Sequence, residues 1–196
     1  MAVVGDKIPF GLADIYVGED GDPNQLKFDG KNFIQAEGGQ VAISPILEDI
    51  KIADFGDSVF DQRVNGYETS VTIVAGDGRS LDVLASALSF TEDIMGSESM
   101  ERVGLTDAKI GTSLRAKGKR VRIHPRDMGD DTSLDIVMYK MIANGEFSQT
   151  YENAQGRQEI NLIGLPRDGF DATKVGNFFY IGSVDPNAEE SPNAEA

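Results

Sequence analysis

Two neighbouring segments, residues 59–64 and 67–75, constrain the fold more than any other part of the chain. In the second segment the face that begins with Tyr67 is mostly apolar, whereas the face that begins with Glu68 is more polar. A period of two is typical of a strand in a half-buried sheet. Asn65-Gly66 lies between the segments and predicts either a two-residue hairpin turn or a glycine bulge.

Short apolar segments recur along the chain between turn-forming residues, among them many of its 22 glycines. We predict a hairpin over residues 26–34 that turns near Asp29-Gly30, and a second Asn-Gly turn at 144–145 that leads into a strand over 146–151. Further strands are predicted at residues 12–17, 40–52, 121–125, 134–142, 158–165 and 177–181.

One helix is predicted over residues 81–88. Ser80 suits the N-cap position, and Asp82 places a negative charge in the first turn, where the helix dipole favours it. The expected apolar stripe has helical spacing and consists of Leu81, Leu84, Ala85 and Leu88. Such a helix would cover one face of a sheet.

The 196 residues fit one domain, which we place at residues 1–182. Residues 91–114 are polar and interrupted by glycine, which predicts a long loop with at most a short helix. Residues 183–196 are rich in Pro, Asn, Ala and Glu, and we expect a flexible acidic tail there.

Composition excludes several classes of function. The chain has no cysteine, which removes disulfides, thiolate catalysis and cysteine-ligated metals, and its single histidine, His124, makes a histidine-based metal site very unfavourable. The formal net charge of −15 disfavours binding to nucleic acid or anionic membranes. We expect a cytoplasmic protein, with no signal peptide at the N-terminus and no membrane-spanning segment.

Three local patterns suggest chemistry, but each has a simpler interpretation. Asp20, Asp22 and Asn24 have the alternate spacing of a calcium loop, but a glutamine and a lysine replace its glycine and its final acid, so a solvated turn is favoured. His124 lies near Ser133 and several aspartates, yet no nucleophile-elbow motif accompanies them. Residues 76–80 precede the helix but lack the phosphate-binding patterns. We therefore predict no catalytic, cofactor-binding or metal site and no enzymatic activity.

A basic segment stands out in this acidic chain. Its cations alternate with Val121, Ile123 and Pro125, so a strand here would have one cationic face and one apolar face. Nucleic-acid binding is disfavoured because the segment has no stacking aromatics. Pairing with carboxylates is favoured, on another subunit slightly more than in the same chain. The predicted subunit-interface residues are Arg115, Lys117, Lys119, Arg120, Arg122 and Arg126.

The order of these segments resembles the tail tube (major tail) proteins of long-tailed bacteriophages. The resemblance rests on residues 12–90: an opening strand and hairpin, residues 41–50, and then the stretch 59–73, which leads to the single helix. The strands in 134–182 fit the same order, whereas residues 91–130 match nothing in the family.

The resemblance implies a mainly β fold in which two packed antiparallel sheets form a β-sandwich or barrel with one flanking helix. It also implies hexameric rings that stack into a tube, through which DNA passes without specific binding. The expected partners are further copies and other tail proteins (sheath, terminator or baseplate), in the virion after assembly in the host cytoplasm. Two alternatives remain: a head–tail joining or baseplate protein, and a monomeric β-sandwich module that binds carbohydrate or a host surface through Phe178, Phe179 and Tyr180.

Overall fold

The computed structural model describes residues 11–76, 80–97, 101–147 and 157–188. They form the mainly β fold that the sequence predicts, with a large antiparallel sheet, a small antiparallel sheet and one α-helix. The strands are β1 (Ala13–Val17), β2 (Leu26–Phe28), β3 (Gln40–Lys51), β4 (Val59–Ala75), β5 (Thr91–Met95), β6 (Arg102–Asp107), β7 (Lys119–Pro125), β8 (Ile136–Ala143), β9 (Gln158–Gly164) and β10 (Phe179–Ile181). The helix is α1 (Leu81–Ala87), and 3₁₀ turns lie at Ala53–Phe55, Leu114–Lys117 and Arg126–Met128.

The large sheet has eight strands in the order β2-β1-β7-β8-β9-β4-β3, and β10 pairs with β8. Strands β5 and β6 form the small sheet. Several neighbours are far apart in sequence, since β1 pairs with β7 and β4 pairs with β9. The basic strand β7 therefore lies inside the sheet, between β1 and β8.

The apolar face of the large sheet encloses one core. Ile15 and Phe28, from β1 and β2, belong to the same buried cluster as Ile73 and Ile160, from β4 and β9. Gln35 forms a bridge with β4, and its side-chain amide donates to backbone carbonyls at the ends of β1 and β2, both at 2.7 Å. The two halves of the sheet thus face each other across the core, as in a sandwich or barrel.

Helix α1 begins after Ser80, the predicted N-cap, although the Ser80 side chain makes no capping hydrogen bond. The predicted apolar stripe is right only for Leu88, which is buried in the core just after the helix, whereas Leu81, Leu84 and Ala85 are half-buried. The helix itself buries Val83, Ser86 and Ala87. These three residues also have i, i+3, i+4 spacing. They are small, which allows the seven-residue helix to pack closely on β9 and β6.

Two segments differ from the sequence predictions. The hairpin over residues 26–34 does not form, because β2 pairs with β1 and the Asp29 carboxylate captures the amides of Lys31 and Asn32 in a tight turn. Residues 91–95 and 102–107 are not loop segments, because they form β5 and β6, which pair with each other as the small sheet. Arg102 joins the two strands by donating to the Asp93 carboxylate of the opposite strand. Because this contact is polar, the strands do not show the apolar alternation by which a strand is recognised in a sequence.

Asn65-Gly66 forms the bulge that the sequence offered as one alternative. Ile46 pairs with Gly66 and Leu47 with Val64, so Asn65 is the extra residue in an otherwise continuous β4. In place of the predicted turn at 144–145 the structure has a bend at Gly145, and within the described residues no strand follows it before β9. Most of the predicted strand over 146–151 lies outside the described residues.

Candidate functional site

Strand β7 presents Arg120 and Arg122 on the outer face of the sheet. Val121 and Ile123 are buried in the core, which confirms the predicted alternation. On the outer face Arg122 lies opposite Tyr16 of β1 in the strand register, and its guanidinium lies 4.6 Å from the centre of the Tyr16 ring. A guanidinium at this distance from a ring face is stabilised by a cation–π interaction.

The cations at either end of this face are also partnered within the chain. Arg120 donates to the Tyr180 hydroxyl at 2.8 Å and to the Asp185 carboxylate at 3.3 Å. Arg126 forms an ion pair with Asp14 of β1. Arg122 has a longer ion pair with an aspartate of the loop after β1, Asp20, at 3.6 Å.

The three remaining cations lie before the centre of β7. They contact the loop after β9, strand β5 and helix α1. Arg115 donates to two backbone carbonyls of that loop and to Asp168 at 3.0 Å. Lys117 forms an ion pair with Glu92 at 2.9 Å. Lys119 donates to the Ser86 hydroxyl at 3.1 Å, and burial lowers the pKa of its amine.

Pairing with carboxylates is therefore confirmed for five of the six predicted interface cations, all except Lys119. Each of these carboxylates belongs to the same chain, so the contacts do not support the preference for partners on a neighbouring subunit, which stays a prediction. The acids come from β1, its following loop, β5, the loop after β9 and the segment after β10. The basic strand is thus largely neutralised by its own fold.

Residues 183–188 also differ from the expected flexible tail. Asp185 accepts a hydrogen bond from the Tyr139 hydroxyl at 2.7 Å as well as its ion pair with Arg120. Asn187 donates to the Tyr139 hydroxyl at 2.9 Å and to the carbonyl of Gly176 at 2.6 Å. The start of the acidic tail is therefore fastened to the outer face of the sheet, and residues 189–196 lie outside the described residues.

The side chain of His124 bridges the Asp135 carboxylate and the Gly129 carbonyl, an arrangement here called the His124 clamp. Its Nδ1 lies 2.5 Å from a carboxylate oxygen of Asp135, which is 3% exposed, and its Nε2 lies 2.7 Å from the carbonyl oxygen of Gly129. Both partners are acceptors, so both ring nitrogens must donate, and the doubly protonated ring is favoured. The hydrogen bond to Asp135 is the main cause of the raised pKa of His124. Neither nitrogen is free to accept a proton from a substrate or to bind a metal.

The calcium-like turn is occupied by protein contacts. Asp22 accepts a hydrogen bond from the amide of Asn24 at 2.8 Å, and Asp20 contacts the side chains of Gln25 and Arg122. Across the part of the chain that the structure describes, no three His, Asp or Glu side chains are grouped so that they could hold a metal ion. Of residues 76–80, which precede the helix, 77–79 lie outside the described residues.

A long two-stranded ribbon formed by β3 and β4 is the feature that the sequence analysis missed. Strand β9 pairs with β4 only over Ser70–Ala75, so within the described residues the segment 44–68, here called the arm, pairs only with itself. The apolar side chains exposed along the arm are Ile46, Leu47, Phe55, Val59, Phe60 and Val64. At the tip the rings of Phe55 and Phe60 stack with centres 5.5 Å apart and planes 12° apart.

The arm is acidic as well as apolar. Cross-strand hydrogen bonds connect Gln62 with Asp49 at 2.8 Å and Asn65 with Glu48 at 3.2 Å. Residues 44–68 contain six acids and two bases. The signal that could have revealed the arm is the loss of alternation, since apolar neighbours such as Val59-Phe60 place exposed apolar groups on both faces.

An aromatic groove of about 500 Å³ lies at the base of the arm. Tyr67 and Phe170 each contact Phe178, with ring centres 5.6 Å and 6.3 Å apart. The three consecutive aromatics do not form one flat platform, because Phe179 packs against the core whereas Tyr180 faces outward towards Arg120.

Comparison with known proteins gives no family. No known protein family matches the chain, and no curated protein is significantly similar to it. Among the described residues, no helix has the length and apolar character needed to cross a membrane.

Proposed function

We propose that this chain is a structural subunit that assembles with copies of itself into stacked, hexameric rings, and that these rings form the tail tube of a long-tailed bacteriophage. The observation that carries the proposal is the arm, residues 44–68, which leaves the sheet as a two-stranded ribbon with exposed apolar side chains on both faces. An isolated two-stranded ribbon is only marginally stable in water, so an ordered arm of this length needs a surface to pack against.

The negative charge of the arm favours specific assembly over aggregation. Exposed apolar side chains beside unpaired strand edges promote association. The acids distributed among them keep a free subunit soluble, because like charges repel at long range. An arm of this kind is therefore suited to a specific partner whose surface is both apolar and locally basic.

The partner that we propose is another copy of the same chain. An arm that docks on a different surface of the next copy makes a head-to-tail contact, which closes into a ring or continues as a filament. The net charge of −15 fits a tube that carries DNA without holding it, since phosphate groups would bind a basic lumen. Other tail proteins would contact the ends or the outside of this tube in the virion.

Sedimentation velocity across a range of concentrations tests the role of the arm. The wild-type protein should form species much larger than a monomer, whereas Phe55→Ser combined with Phe60→Ser should remain monomeric and folded. The matched control is Val103→Ser, because Val103 is also exposed but lies in β6, outside the arm. Assembly that persists unchanged in the arm variant would remove the arm from the proposal.

The aromatic groove favours one second candidate, a monomeric module that binds carbohydrate. Exposed Phe170 beside Phe178 offers ring faces on which a sugar can stack. A glycan array probed with the monomeric arm variant separates the two functions. Selective binding that is lost in Phe170→Ala would support the binding module.

A further inference from the structure

We propose that the Phe55–Phe60 tip of one copy inserts into the aromatic groove at the arm base of the next copy. This inference rests on the proposed self-assembly and names the two surfaces that meet.

The tip exposes two large apolar rings that burial against another surface would stabilise. Phe55 and Phe60 are 60% and 59% exposed, although each is a large apolar side chain. The 3₁₀ turn Ala53–Phe55 and Gly56, with a φ of 69°, fix the turn that brings the two rings together. The stacked pair is therefore a preformed knob, whose insertion costs little conformational freedom.

The groove offers a matching surface. It is lined by aromatic side chains from the arm base and from the loop before β10, and its rim includes Val175, which is 81% exposed. Phe170 meets Phe178 almost edge to face, at 80°, so further rings can add in the same way. The bulge at Asn65-Gly66 forms part of the lining, where the regular strand pairing is interrupted.

One cation in the groove complements the acids of the tip. Asp54 and Asp61 adjoin the two tip phenylalanines in sequence, and Asp57 lies in the turn between them. Lys174 lines the groove. Asp171 interacts electrostatically with Lys174, but its direct hydrogen bonds come from the amide and hydroxyl of Thr173 at 2.9 and 2.7 Å, and no carboxylate of the described residues forms an ion pair with Lys174. The lysine can therefore receive a carboxylate from the tip.

The tip cannot reach the groove of its own chain. Phe60 and Tyr67 are seven positions apart in one continuous strand, a separation of roughly 20 Å. A tip that occupies the groove therefore comes from a second copy. Each copy then has one knob and one groove, which makes the contact head-to-tail and suits growth of a ring or tube.

Disulfide cross-linking tests this contact, and the chain helps because it has no cysteine of its own. The double variant Phe60→Cys with Val175→Cys should give a ladder of disulfide-linked oligomers on a non-reducing gel. A disulfide needs Cα atoms about 4.4–6.8 Å apart, so a bond within one chain is excluded by the length of the arm. Mixing the two single-cysteine variants should give a heterodimer and no ladder.

Two controls make the result specific. Phe60→Cys with Val103→Cys has two equally exposed sites, one of them outside the groove, and should give no ladder. Lys174→Glu should weaken assembly at least tenfold in concentration, and adding Asp57→Lys should restore it. Circular dichroism checks that every variant keeps the β fold.

The outcomes separate this inference from the proposed function. Oligomers that form without the Phe60–Val175 cross-link would overturn the knob-and-groove contact but leave self-assembly intact. A wild-type protein that remains monomeric at every concentration would overturn both. A groove that binds an oligosaccharide while the chain stays monomeric would identify a different occupant and also refute the inference.

Discussion

Removing the His124 clamp gives a quantitative test of the structural role assigned to the single histidine. In His124→Ala the buried Asp135 carboxylate loses its charged partner and the Gly129 carbonyl loses a donor. A hydrogen bond to a charged group contributes about 1.5–3 kcal/mol, and an unpaired buried charge adds a desolvation cost. We therefore expect the free energy of unfolding at pH 6 to fall by about 3 kcal/mol.

The effect should depend on pH with a defined sign. The hydrogen bond to Asp135 raises the pKa of His124 in the folded state. The stabilisation is therefore complete below the unfolded pKa of about 6.5 and is lost as the pH rises through the folded pKa. The difference between wild type and His124→Ala should be largest near pH 6 and should shrink at higher pH.

Urea denaturation followed by far-UV circular dichroism measures this difference. Both proteins should carry Phe55→Ser and Phe60→Ser, so that assembly does not contribute to the measured stability. Parallel stability curves for the two proteins between pH 6 and pH 9 would refute the clamp. A catalytic activity that disappears in a folded His124→Ala variant would also contradict the structural role.

Three further substitutions test other contacts by the same denaturation assay. Gly164→Ala should cost about 1–3 kcal/mol, because the added Cβ would lie 1.7 Å from the Thr69 hydroxyl oxygen; an unchanged stability would contradict this packing. Lys119→Met should stabilise the fold by about 1 kcal/mol at pH 7, because burial penalises the charged amine, and its advantage should shrink as the pH approaches about 10. Arg122→Glu should cost about 1–2 kcal/mol of folding stability, because it removes the cation–π contact with Tyr16 and places a carboxylate near Asp20. Assembly of this variant at saturating concentration should persist.

The sequence predicted the parts of the fold that depend on local patterns. Alternation located β4 and β7, and the Asn65-Gly66 pair anticipated the bulge. The small sheet was missed because its strands are mostly exposed and are joined by the Arg102–Asp93 bond. Such strands do not have the regular alternation of apolar and polar residues that marks a half-buried strand. The helix was located, but of its predicted apolar stripe only Leu88 is buried, because two overlapping stripes both have helical spacing.

The candidate site was harder to predict, because its contacts are distant in sequence. Arg120 and Asp185 are 65 positions apart, and Arg126 and Asp14 are 112 positions apart. The sequence indicates that a cationic strand needs acids but not which acids the sheet order brings to it. The arm also depends on topology, since it arises where the pairing of β9 with β4 stops at Ser70.

A self-assembling tube subunit is expected to form regular particles when it is purified. Negative-stain electron microscopy of the wild-type protein at high concentration shows whether this chain does so. We predict rings of constant diameter with a central hole, seen singly or stacked into tubes, with six-fold symmetry in class averages of end views. A sample that contains only monomers or irregular aggregates at every concentration would contradict it.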